Sequence, residues 1–343
     1  MSLRVGYRVR LGELSATEDP RRSDLALRAL AVNRGLDAVG GASLDFASAA
    51  GAAPSVGDSV RIELSLGGEL SPVFSGVVLT VRPSLTGLTV LAADGLSKLG
   101  RVLAEGVFEA QSAGDIATEL LRIADLSPGE IAPGPTLPRY TLHRGPRALQ
   151  HLRALAELCG LDVWVDAEGL VQLAPPKLAE AARSFAWGRE LVALSAERSE
   201  AAPGGCEVWG EGAASVSGPK RAHWLMTELS SVQASAVIRD QAGALSVAEG
   251  DSASAQFLRT GVARTGELAG LLARARAEVR AARPARGSAL VLGAPGVEPA
   301  MCVAFTDLPE AHVAQKVLPA AVRVRAVQHR LDRASGFTTE LSF

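Results

Sequence analysis

The sequence predicts a β-rich α+β fold, with antiparallel strands toward both ends of the chain and a helix–helix–hairpin α/β module inserted between them. Three patterns carry this expectation. From Ser59 to Leu66 apolar residues alternate with polar ones, the two-residue period of a half-buried strand. Behind Ser112, and again behind Pro146, the period lengthens to that of a helix. From Val322 to Phe343 it shortens to two again, broken by the turn residues Asp332 to Gly336.

Taken in order, Val60, Ile62, Leu64 and Leu66 share one strand face, and Gly67-Gly68 makes a turn. Val73 to Val81 and Leu88 to Ala93 follow as two more strands, a meander that suggests a small sandwich or barrel. Ala42 to Ala53 is rich in small residues and reads as loop. Ser112 and Asp115 have capping-box spacing, with Ile116, Ala117, Leu120, Leu121 and Ala124 on one helical face behind them. Ser127 to Pro138 is a Pro/Gly-rich connection. A second helix is expected to start near Pro146, to bury Leu149, Leu152, Leu155 and Ala156, and to end at Gly160. A hairpin follows, Leu161 to Val165 and Val171 to Leu173, turning at Asp166 to Gly169.

Beyond Pro175-Pro176, Glu190 to Ala196 and Glu207 to Gly210 read as strands, whereas Ala213 to Ser254 has no clear period. Gly266 to Ala282 is helical, with Leu268, Leu271, Leu272, Ala275 and Val279 expected inward, and Pro284 and Gly287 stop it. Four strand-like runs close the chain near Ala289, Met301, Val322 and Phe337. The last two form a hairpin with Phe337, Thr339, Leu341 and Phe343 on one face.

At 343 residues two or three domains are expected, and 48% hydrophobic against 21% charged residues can build their cores. Aromatics, at 4%, are too few for a stacking platform, so the cores should be aliphatic. The 35 basic residues nearly cancel the 37 acidic ones, which leaves no overall field to recruit nucleic acid or an anionic membrane. Cys159, Cys206 and Cys302 lack motif spacing and are expected to be buried thiols in a reducing compartment. The N-terminus has no signal-peptide core, and no apolar run approaches the roughly 20 residues needed to cross a bilayer. Synthesis in the bacterial cytoplasm is expected.

Several stretches together resemble one family. In the first barrel region they are Gly57-Asp58-Ser59-Val60-Arg61-Ile62, Val73-Phe74-Ser75-Gly76-Val77-Val78 and Val90 to Asp94, followed by Leu96 to Arg101. The central module adds Tyr140, Leu149, Leu152, Leu155-Ala156-Glu157 and Gly160-Leu161, then Asp166, Gly169-Leu170 and Pro175-Pro176. Later come Gly293 to Pro299, with Ala300 where a glycine is expected, and the terminal Val322 to Phe343 hairpin. In this order they resemble the phage tail protein D, or late control D, family, the central baseplate hubs of contractile tails and injection systems. These are related to the hub part of VgrG proteins. The resemblance implies two tail-tube-like antiparallel β-barrel domains, at 1–102 and 183–343, with the α/β module at 103–182 between them. It also implies a homotrimer that adapts a six-fold tail tube to a three-fold spike carried by a separate protein.

No residue pattern names a catalytic, cofactor or metal site. Gly57-Asp58-Ser59 has the look of an esterase nucleophile block, but no histidine stands in the late Asp-x-x-His spacing that would supply its base, and a turn before a strand is expected. Val208-Trp209-Gly210-Glu211-Gly212 approaches a dinucleotide fingerprint without its third glycine or an opening helix, so a loop is expected. His151 and Cys159 lie eight positions apart on one helix, about 12 Å by rise, too far for one metal. A surface histidine and a buried thiol are expected instead. Asp162, Asp166 and Glu168 could act as hydrolytic carboxylates, but sit on one hairpin, where a solvated turn is expected.

Arg274, Arg276 and Arg280 should lie on the wet face of their helix. They, or Arg323 and Arg325, could pair with acidic groups of a neighbouring subunit. The expected function is a structural, non-enzymatic baseplate hub. A tail-associated peptidoglycan hydrolase and a soluble β-rich binding module are the alternatives.

Overall fold

The computed structural model describes residues 4–47, 53–197, 204–211, 232–241, 244–310 and 314–343. The first barrel is built from β1 (Val5–Leu11), β2 (Leu14–Thr17), β3 (Leu27–Gly35), β4 (Gly41–Ala47), β5 (Ser59–Leu66), β6 (Ser71–Ser84) and β7 (Gly87–Ala93). They pair in the order β3-β4-β7-β6-β5-β1-β2. Alternate residues point inward, among them Val9, Leu11, Leu30, Val32, Leu44, Phe46, Val60, Ile62, Leu64 and Val90, and all belong to one core. A single core touching every strand requires the sheet to wrap around it.

The loop expected over Ala42–Ala53 is corrected here, because residues 41–47 form β4, paired with β3 on one side and β7 on the other. Gly41, Ala42 and Ser43 weaken the alternation in the sequence, yet Leu44 and Phe46 are buried. Residues 48–52 of that stretch lie outside the described residues.

The first barrel is followed by α1 (Leu96–Leu99), and the inserted module then comprises β8 (Gly106–Ser112), α2 (Ala113–Ile123), β9 (Pro128–Ile131), β10 (Thr136–Leu142), α3 (Ala148–Cys159), β11 (Asp162–Val165) and β12 (Val171–Ala174). The capping box forms as expected: Ser112 Oγ accepts from Asp115 N at 3.1 Å, and Asp115 Oδ2 accepts from Ser112 N at 3.3 Å. All five residues expected on its inner face are buried. Helix α3 starts at Ala148 with Arg147 as its N-cap, so Pro146 stands just outside it, and Gly160 closes it in the left-handed region at φ 64°.

The connection from Ser127 to Pro138 is not structureless. It contains β9, parallel to β12, and the start of β10, antiparallel to β8. Both strands lie at sheet edges, where a proline need not break a ladder.

The remainder contains β13 (Arg183–Ala186), β14 (Leu191–Glu197), β15 (Gly205–Trp209), β16 (Gln233–Gln241), β17 (Ala244–Glu249), β18 (Ala255–Arg259), α4 (Gly266–Ala281), β19 (Arg286–Leu292), β20 (Cys302–Thr306), α5 (Ala314–Val317), β21 (Val322–Arg323), β22 (Ala326–Asp332) and β23 (Gly336–Ser342). The unperiodic stretch 213–254 includes the antiparallel pair β16–β17, and its residues 213–231 and 242–243 lie outside the described residues. With β15 and β18 these strands form a four-stranded sheet. Helix α4 buries Leu268, Ala269, Leu272, Ala273 and Ala277, in one core with Cys206 and Val208 of β15 and the residues of the inserted module. Leu271, expected inward, is 51% exposed. The buried face is mostly alanine, and short side chains let a helix sit close to its neighbours.

The terminal hairpin pairs β22 with β23, and Phe337, Thr339, Leu341 and Phe343 are all buried. The strand expected from Val322 onward is split. Val322 and Arg323 pair with β20, while β22 pairs on its far edge with β3, His329 opposite Val32. That last pairing joins the two barrels in one 11-stranded sheet, β14-β19-β23-β22-β3-β4-β7-β6-β5-β1-β2.

Candidate functional site

The side chains with the most constrained chemistry lie on the seams between barrels and module. At the β3–β22 seam His329 is fully buried, and its Nδ1 shares a 2.9 Å hydrogen bond with Thr339 Oγ1. Burial, with the Arg34 charge nearby, pushes its pKa down to about 3, so the ring is neutral. Arg34 is buried too. Its Nη1 lies 3.6 Å from Glu298 Oε1, and its Nη2 donates to Val297 O at 3.5 Å. A guanidinium on the first barrel thereby holds the Gly293–Pro299 turn of the second. At the end of that turn Ala300 takes the left-handed conformation, φ 71°, and donates its N–H to Val324 O at 2.9 Å. The turn keeps a glycine-like geometry without its glycine.

The β11–β12 hairpin is held from both sides. Asp37, at the tip between β3 and β4, donates its N–H to Val163 O at 2.6 Å and accepts from Val163 N through Oδ1 at 3.1 Å. Arg61 of β5 makes a two-pronged contact to Glu168, 2.7 and 3.1 Å. From the second barrel, Arg323 Nη1 donates to Asp162 Oδ2 at 2.5 Å, and Glu298 Oε1 accepts from Ala167 N at 3.3 Å. Four positions of one hairpin therefore tie the module to both barrels.

This geometry corrects three expectations. Asp162 is not part of a solvated turn: its side chain is 3% exposed and that of Arg323 is 5% exposed. Asp166 holds the turn itself, its Oδ1 accepting from Glu168 N at 3.0 Å and Leu170 N at 2.9 Å. Arg323, considered for a contact between subunits, spends its charge inside the chain. Arg276 likewise lies against α3, donating to Glu157 Oε1 at 3.1 Å with only 12% of its side chain exposed.

Asp94, the last residue of the Val90 to Asp94 motif, is 2% exposed. It accepts from Gly40 N at 2.6 Å and Leu96 N at 3.0 Å, joining the β3–β4 connection to the start of α1. Desolvation raises its pKa to about 7 against the pull of those two hydrogen bonds and of Arg34.

The remaining candidates are structural. Asp58 Oδ2 accepts from Ser55 N at 2.8 Å in the turn before β5. Gly210 follows β15 and donates to Val232 O at 2.9 Å, while Gly212 lies outside the described residues. His151 is buried, not on the surface, because its Nε2 meets His143 O at 2.9 Å. The Cys159 thiol is pushed up to about 12 by burial. All three cysteines are buried and free, and among the described residues no three His, Cys, Asp or Glu side chains gather as a metal site. Asp37, Arg34 and Glu298 were invisible to sequence reasoning, since their partners lie far away in the chain, as Val297 lies 263 residues from Arg34.

No protein-family model matches the chain, and no curated protein matches it. Solved structures do. The 43 kDa tail protein of prophage MuSo2 from Shewanella oneidensis aligns with a TM-score of 0.62 at 14% identity, over 98% of this chain and 97% of that one. A tail protein from Neisseria meningitidis aligns with a TM-score of 0.62 at 14% identity, over 98% and 95%. An Escherichia coli component of the type VI secretion system, described as structurally similar to T4 bacteriophage tail proteins gp27 and gp5, aligns with a TM-score of 0.56 at 12% identity. It covers 97% of this chain and 75% of that one. With its two barrels and inserted module, the chain has, over nearly its whole length, the fold of phage tail and type VI secretion proteins.

Proposed function

We propose that the chain is a non-enzymatic baseplate hub of a contractile phage tail or related injection system. In this reading it forms a trimeric ring that adapts a six-fold tail tube to a three-fold spike. One observation carries the proposal. The two barrels continue into one 11-stranded sheet through β3 and β22, so each chain presents a fixed pair of barrels. Three copies in closed cyclic symmetry would offer six, the number a six-fold ring requires. The fold likeness to tail proteins along nearly the full length supports the same reading.

The partners would be two further copies, the first ring of the tail tube, a separate spike protein and other baseplate proteins, met after synthesis in the cytoplasm. No helix among the described residues is long and apolar enough to cross a membrane. The domain division 1–102, 103–182 and 183–343 belongs to this proposal, with β15, β16 and α4 packed against the module whose core they share. A peptidoglycan hydrolase is disfavoured because its best candidates are engaged: Asp162 by Arg323, Asp166 by the turn and Glu168 by Arg61.

Light scattering on the purified chain, alone and with a candidate spike protein, tests the ring. A mass near three times 35.4 kDa under either condition supports the hub. A monomer under both refutes the ring and favours the soluble binding module.

A further inference from the structure

A cleft of about 690 Å³ opens where α3, α4 and the approach to β22 meet. Five arginines line it, Arg153, Arg276, Arg280, Arg283 and Arg325, against three carboxylates, Asp37, Glu157 and Asp162. Each carboxylate is engaged within the chain. Glu157 accepts from Arg276, Asp162 from Arg323, and Asp37 from Val163 N. Arg280 Nη1 donates to Gly205 O at 3.3 Å.

The other three guanidiniums make no direct ion pair, although Asp37 feels the charges of both Arg283 and Arg325, and Asp162 that of Arg283. Among the described residues, Arg153, Arg283 and Arg325 make no ion pair and no side-chain hydrogen bond, and Arg325 Nη1 is shielded from water without an acceptor. Burial, with the charge of Arg325, pushes the pKa of Arg283 below the ordinary arginine value against the opposing pull of Asp162 and Asp37, so these carboxylates do not fully offset the cluster. Gathering like charges in a half-buried cleft is destabilising unless an anion enters.

The surroundings select the kind of anion. Gly160 closes α3 at the cleft, and Arg276, Arg280 and Arg283 belong to the last turns of α4 and the residues just after it. Helix C-termini offer no free N–H groups, so the backbone builds no phosphate cradle here and an anion must be held by the guanidiniums themselves. Separate guanidinium forks suit carboxylates spread along a chain. We propose that this cleft is a docking site for a carboxylate-rich segment of a neighbouring protein chain. The docking needs only the folded chain, so it stands or falls apart from the ring.

Fluorescence anisotropy with a labelled hexaglutamate peptide, and hexaglutamine as control, tests this on the full chain. Hexaglutamate should bind, hexaglutamine should not, and raising the salt should weaken binding. The double variant Arg283→Gln/Arg325→Gln should bind at least about tenfold more weakly, as expected for loss of two charge-assisted contacts. Arg274→Gln, whose arginine pairs with Glu278 on the exposed side of α4, should bind as wild type does. Should the double variant fail to fold by circular dichroism, Arg153→Gln decides, with weaker binding expected. Undiminished binding in the folded arginine variants overturns the proposal, as does an equal loss in Arg274→Gln. Displacement of the peptide by equimolar inorganic phosphate would also overturn it, reassigning the cleft to phosphate.

Discussion

Cutting the Arg323–Asp162 pair should be among the most damaging single changes in the chain. Asp162→Ala removes the only acceptor that Arg323 has among the described residues and leaves a guanidinium enclosed, with 5% of its side chain exposed. Breaking a buried pair from one side costs about 3–5 kcal/mol, because the surviving charge loses its partner without regaining water. The pair is itself imperfect, since Arg323 Nε has no acceptor among the described residues. Replacing both members, Asp162→Leu with Arg323→Met, should therefore cost far less than the first change alone, about 1 kcal/mol or less. A double-mutant cycle closed by the singles Asp162→Leu and Arg323→Met should return a coupling of at least about 2 kcal/mol. The assay is urea unfolding followed by tryptophan fluorescence, for which Trp164 on β11 reports two positions from Asp162. If Asp162→Ala costs less than about 1 kcal/mol, Arg323 is reached by water or finds another acceptor, and the buried-pair account is wrong. Arg323→Glu should destabilise the isolated monomer, whereas Arg325→Glu should leave its fold intact.

Further expectations concern pH and backbone geometry. Asp94 titrates near 7 in the fold, above its ordinary 3.8, so its contribution to stability is present at low pH and is lost as pH rises through that window. His329 titrates near 3, below its ordinary 6.5, so its contribution is present above 6.5 and is lost as pH falls. The two slopes, each up to about 1.4 kcal/mol per pH unit, oppose one another between about pH 4 and 6.5. Asp94→Asn should make stability climb more steeply with pH there, and His329→Asn should tilt it the other way; an unchanged slope in either variant would refute that group's assignment.

Ala300→Gly should stabilise the fold by about 0.5–1 kcal/mol by relieving the left-handed alanine, net of the entropy of glycine. A loss of stability by equilibrium denaturation would show that the alanine methyl is needed. Gly160→Ala should cost more than about 2 kcal/mol, because its φ is +64° and the new Cβ would sit 2.6 Å from the Ala275 backbone. A cost below 1 kcal/mol would show that α3 and α4 can separate freely at this point.

What was legible from the sequence is physics that acts over a few residues. The Ser112–Asp115 box and the Gly160 C-cap follow from backbone groups that a nearby residue must satisfy. The alternation in β5 and in the terminal hairpin follows from strand period alone, and the faces expected to be buried there are buried, with Leu66 at the end of β5 half-buried. Periodicity reports that a face is buried without reporting what covers it. On α4 Leu268 and Leu272 are buried as expected, but the rest of the buried face is alanine and Leu271 is exposed, so the leucine stripe was only a partial guide.

The tertiary structure decided what depends on distant segments meeting. β4 is a strand because β3 and β7 flank it, despite its small residues. The run from Val322 divides because β20 claims its first residues and β3 the rest, a competition settled by backbone hydrogen bonds rather than side chains. Arg323 and Asp162 are 161 residues apart, and in the sequence nothing distinguishes either from a solvated charge. The sequence by itself determined the elements with a clear local period, such as β5, α2, α3 and the terminal hairpin, and the order of their motifs. Only the fold decided which barrels join, which charges are enclosed with a partner and which are left without one, because desolvation is a property of the assembled surroundings.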